Sequence, residues 1–126
     1  MSKRRIGTPL VGLLLLLPLT APQAQTRSPD IQHIERFRGS VRLAGKDVHV
    51  AIDTWLVPNA TTIENLQLPL HGNTVMELRG GSVVTIIDGN RLKRAAGDFW
   101  TVPSTSPVRL ETENDSAALQ STVVAE

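Results

Sequence analysis

The sequence predicts a single all-β domain, a barrel or sandwich of about eight to ten short strands. Short runs rich in Val, Ile and Thr recur along the chain, broken by Gly, Pro, Asn and Asp, the texture of strands joined by tight turns. From Ile31 onward no segment sustains the 3.6-residue apolar period of a helix. The clearest local signal is "GGSVVTIIDGNRLKRAAGD": two strand-length segments flank Asp88-Gly89, residue types that tolerate the positive φ of a hairpin turn.

The chain opens with three cations, Lys3, Arg4 and Arg5. An apolar run from Leu10 to Leu19 follows, then the small-residue segment "TAPQAQ". These are the three regions of a secretory signal peptide, so residues 1–24 are expected to be removed after Ala24. The apolar run is too short to span a bilayer, which takes roughly 20 residues. Export to a bacterial periplasm or beyond is therefore expected, with no membrane span left after cleavage. Residues 25–30, "QTRSPD", form a loose polar lead-in, and residues 31–126 form the domain.

Within the domain, "VHVAIDTWLV" has strand length and stops at Pro58-Asn59. In "TTIENLQLPL", Leu66, Leu68 and Leu70 alternate as in a half-buried strand. Glu77 and Leu78 precede Gly80-Gly81, which reads as a turn. Val83, Thr85 and Ile87 then share one strand face, and Val84 and Ile86 the other. After "NRLKRA" and a turn at Gly97-Asp98 come "FWTV", a Pro-Ser-Thr-Ser-Pro corner and "VRLET". The turn signal "ENDS" precedes a closing strand, "AALQSTVVA". Parity places Trp100 and Val102 inside with Phe99 outside; it places Val108 and Leu110 inside with Arg109 and Glu111 outside.

Charge and cysteine content narrow the function. Without its leader the chain carries ten basic against twelve acidic residues, leaving no basic surface for nucleic acid. There is no cysteine, so the fold stands on packing without disulfides, and thiolate metal sites are excluded. The three histidines, His33, His49 and His71, show no ligand spacing. His33 reads as surface, and His49 as solvent-facing or interfacial. Asp53 and Glu64 are candidate carboxylates facing a pocket, although exposed strand charges are common.

From about Ile31 to Ala125, and most clearly from Met76 to Thr112, the chain resembles a small cupin. One cupin motif runs glycine, five residues, Pro-X-Gly, two residues, His, three residues, Asn. It lies on this sequence without gaps: Gly97 opens it and Pro103 is its proline, while Thr105, Val108 and Thr112 replace its glycine, histidine and asparagine. The other motif would end at Gly80 or Gly81. That places its glutamate at Asn73 or Thr74 and its two histidines within residues 66–70, none of which is His or Glu.

The resemblance implies a jelly-roll barrel whose turn residues are kept and whose metal-ligating residues are replaced, hence no metal and no cofactor. It implies a pocket around Trp100, Val102, Val108, Leu110 and His71. Two partners stay open, a small apolar ligand and a second copy of the chain. The expected role is a non-catalytic binding or structural barrel. The alternatives are a degenerate oxygenase- or isomerase-type enzyme using His71, and an unrelated envelope β-domain that binds other proteins.

Overall fold

The computed structural model describes residues 30–126, and among these eight strands and no helix are present. The signal peptide assigned to residues 1–24 and all but the last residue of the lead-in lie outside the described residues. The strands are β1 (Gln32–Leu43), β2 (Lys46–Val57), β3 (Thr62–Ile63), β4 (Asn73–Ile87), β5 (Asn90–Ala95), β6 (Phe99–Val102), β7 (Arg109–Glu111) and β8 (Ala117–Ala125). All pairings are antiparallel.

Two sheets share β4. Its first half pairs with β8 and β6, completing the order β1-β2-β8-β4-β6; its second half pairs with β5 and β7, and β7 carries β3. The strand changes sheets at Gly80-Gly81. The turn expected there is a bend inside one 15-residue strand. Gly81 has φ 78°, a value that L-residues with a Cβ rarely adopt. A Cβ on it would also lie 1.8 Å from the Ser116 carbonyl oxygen.

The hairpin at Asp88-Gly89 forms as expected, with φ of 50° and 80° at the two residues. Ala44-Gly45 makes a similar turn between β1 and β2. The leucine alternation at Leu66, Leu68 and Leu70 does not make a strand: β3 stops at Ile63 and a loop runs to residue 72. The Leu66 N–H does donate to the Val108 carbonyl at 2.9 Å, but Pro69 lacks the N–H needed to extend such a ladder.

The core lies between the sheets. Trp55 and Val57 from β2, Met76 and Leu78 from β4, Trp100 and Val102 from β6, and Leu119 from β8 meet Ile63, Leu66, Val108 and Leu110 from the opposite side. Full burial of an aliphatic side chain of this size contributes about 1.5–3 kcal/mol, so this cluster carries the fold without cysteines. Both tryptophans are in it, as their strand parity requires. Arg94 caps Trp100 with its guanidinium 4.8 Å from the ring centre, a favourable cation–π contact.

Candidate functional site at the barrel mouth

The loop over residues 64–72 and the Pro-Ser-Thr-Ser-Pro corner face each other across the end of the barrel. Between them lies a cavity of about 320 Å³. Leu66, Leu68, Leu70, Val102 and Val108 supply its apolar walls, and Asn65, Gln67, Ser104, Thr105 and Ser106 its polar rim. The corner is closed by a turn in which Ser106 N–H donates to the Pro103 carbonyl at 3.0 Å. Asn65 fastens the two sides together, its Oδ1 accepting from the Val108 N–H at 3.3 Å.

His71, Val102 and Val108 all line this cavity, with His71 exposed at its entrance. Trp100 and Leu110 do not line it; they sit deeper, in the core. Thr74, one of the two positions matching the cupin glutamate, lines the cavity, and its hydroxyl donates to the Gly72 carbonyl. Thr112 is buried, and its hydroxyl joins Pro58 to Thr61 across the loop after β2. Glu64 is exposed, away from any pocket role.

The lining holds one imidazole and no carboxylate. A three-histidine, one-carboxylate metal site needs four convergent donors, so these residues do not fit that group. Among the described residues no group of three or more His, Cys, Asp or Glu is placed to hold a metal ion.

A second polar cluster gathers around Asp53, one of the two candidate carboxylates, from partners that the sequence reading did not bring to it. Asp53 lies on the inward face of β2 and is fully buried. His33, expected on the surface, reaches it from β1: its Nε2–H donates to Asp53 Oδ1 at 2.6 Å while its ring stacks on Trp55 at 4.1 Å. Arg38 donates to the same oxygen at 2.9 Å, and that hydrogen bond raises the guanidinium above its ordinary pKa. Asp53 Oδ2 is buried without a partner. Ser121, opposite Asp53 on β8, accepts from Trp55 Nε1–H at 2.8 Å.

Two residues that alternate strictly cannot both reach Asp53 from positions five apart. A bulge between Glu35 and Phe37 resets the parity of β1 and turns both His33 and Arg38 inward. The signal available in the sequence was the parity of Ala51, Asp53, Trp55 and Val57, which puts the aspartate on the core face. Nothing in the sequence announced the bulge.

The two-sheet arrangement with a shared, bent strand defines a jelly-roll barrel. Comparison with solved structures makes it a cupin fold. The cupin domain of Schizosaccharomyces pombe Cnp3 superposes with a TM-score of 0.62 at 9% identity, covering 81% of this chain and 66% of that one. A cupin superfamily protein from Desulfitobacterium hafniense gives 0.58 at 17% identity, covering 85% and 94%. Salicylate 1,2-dioxygenase from Pseudaminobacter salicylatoxidans gives 0.51 at 22% identity over 59% of this chain, which spans 20% of the dioxygenase. No family model and no curated protein matches the sequence.

Proposed function

We propose that this chain is an exported cupin-fold barrel that holds a small, uncharged, largely apolar ligand at its mouth without a resident metal. One observation carries the reading: the cavity lining contains no Asp, Glu, Lys or Arg, and Val108 stands where a ligating histidine would be. Export is supported by the cationic, apolar and small-residue regions of residues 1–24. Burying a charged ligand in such a site leaves its charge unpaired, at large cost. An uncharged body resting on leucine and valine walls, with one or two hydrogen bonds to the Ser-Thr-Ser rim, carries no such penalty.

The cavity sets the scale. At roughly 30 Å³ per water, 320 Å³ suits a ligand of about ten heavy atoms. Such a ligand gains on the order of 4–5 kcal/mol, a Kd near 1 mM to a few hundred micromolar.

Amide chemical shifts followed by NMR during titration with cyclohexanol, and separately with cyclohexanecarboxylate, test the reading. The alcohol is expected to move amides of residues 65–74 and 102–108, and the carboxylate to move them at least tenfold less. A preference for the carboxylate, or shifts confined to other regions, overturns it.

A further inference from the structure

The mouth cavity has a neighbour on the other side of its rim. A second cavity of about 560 Å³ lies against the start of β2 and the end of β8, and His71, Gly72 and Ser104 line both. Gly72 makes the adjacency possible. A Cβ there would strike the Val124 carbonyl, so only a glycine lets the end of the loop lie this close to β8. Beyond the shared residues the two cavities diverge. The mouth continues inward to Leu66, Val102 and Val108, whereas its neighbour continues to Leu43, Val48 and Val124 on the outer face of the sheet. Leu43 is 58% exposed and Val124 43%, so this outer wall offers apolar surface that nothing in the chain covers.

From the barrel interior, past the rim, to the outer face, the order met is apolar, polar, apolar. The polar middle consists of His71 and Ser104, both exposed, and an imidazole and a hydroxyl can each donate a hydrogen bond. No free charge accompanies them. The mouth lining has none, and the Glu126 carboxylate beside the second cavity accepts from Lys46 Nζ at 3.1 Å.

We infer, building on the mouth site proposed above, that the two cavities form one bipartite site for a neutral ester or secondary amide with an apolar group on each side of its carbonyl. One apolar group fills the mouth. The carbonyl oxygen accepts from His71 and Ser104 at the rim, and the second apolar group lies along Leu43, Val48 and Val124. A plain hydrocarbon would cover the imidazole and the hydroxyl without giving them a partner, which is costly. A small alcohol ends at the rim and leaves the outer wall bare. An ionised ligand finds no counter-charge in either cavity.

Two amides separate the parts of the site. N-methylcyclohexanecarboxamide has the ring and the carbonyl without a second apolar group, and N-hexylcyclohexanecarboxamide has all three. Each is titrated into the protein and followed by amide chemical shifts. A fully covered methylene strengthens binding about fourfold, and the outer wall covers the chain on one side only. The hexyl amide is therefore expected to bind at least tenfold more tightly than the methyl amide. It is also expected to move the amides of Leu43, Val48 and Val124 besides those of residues 65–74 and 102–108. Val124→Asp puts a charge into the outer wall and should bring the hexyl amide to within about threefold of the methyl amide, whose own affinity stays unchanged. Leu43→Asp, at the exposed end of β1, serves if Val124→Asp fails to fold. Equal affinities for the two amides in the wild type overturn the inference and leave the mouth site standing, provided the methyl amide moves residues 65–74. A tighter hexyl amide that moves mouth residues alone, or whose advantage survives both substitutions, overturns it as well. If neither the methyl amide nor cyclohexanol moves the mouth residues, the mouth site falls and the bipartite site with it.

Discussion

Replacing Asp53 by Asn keeps the shape of the side chain and removes its charge. Asp53 Oδ1 takes two bonds, from His33 at 2.6 Å and Arg38 at 2.9 Å, and hydrogen bonds to a charged group contribute about 1.5–3 kcal/mol each. Against this gross gain of about 3–6 kcal/mol stands the unpartnered Oδ2, whose burial costs about 1–3 kcal/mol. Both partners keep access to solvent, and Arg38 retains Glu35 at 3.7 Å, which favours the lower end of the gain. A net loss of about 2 kcal/mol is expected. For a domain of this size that lowers the melting temperature by roughly 8–16 °C. The assay is thermal unfolding at pH 7 followed by circular dichroism. A variant melting within 2 °C of wild type, or above it, would show that the cluster does not clamp β1 to the sheet.

Other substitutions probe the frame and its electrostatics. Gly81→Ala combines a positive φ with a Cβ driven into the Ser116 carbonyl, and a loss of at least about 3 kcal/mol is expected. Gly80→Ala meets only Ala118 Cβ at 3.8 Å, so its melting temperature should stay near wild type; equal effects at the two glycines would contradict the role given to Gly81 in the bend. On the pH axis, the hydrogen bond from Arg91 holds the Glu111 carboxyl below its ordinary value of 4.5. A depressed carboxylate stabilises fully above the unfolded value, and its contribution is lost as pH falls through the folded one. Arg91→Met should therefore reduce the fall in melting temperature between pH 6 and pH 3, and an undiminished fall would count against this pairing.

The turns and the inward residues were legible because each depends on a few adjacent positions. Asp88-Gly89 specifies its own φ values, and the parity of Trp100 with Val102, or Val108 with Leu110, follows from the pleat alone. What was not legible depends on distant partners. Gly80-Gly81 reads as a turn until β8 is present to pair with the residues up to Gly81 and β5 and β7 with those after it. The leucines of residues 66–70 carry a strand pattern that Pro69 vetoes, and they serve instead as cavity wall. His33 and Asp53 are 20 residues apart, and they meet only because a bulge at Arg36 shifts one strand against the next. The same bulge puts Arg36 on the outer face, where its Nε–H donates to Thr54 Oγ1 at 3.0 Å, so one extra residue arranges both sides of the sheet.

The mouth of the barrel is where a metal-dependent reading and a metal-free one diverge most sharply. Equilibrium dialysis of the purified protein against zinc, iron, manganese and nickel, with bound metal counted per chain, addresses that divergence directly. With one imidazole and no carboxylate in the lining, well under 0.1 equivalent of any metal is expected at about 10 µM free ion, and no change on His71→Ala. One tightly held equivalent that disappears in His71→Ala would contradict the account and return the site to metal chemistry.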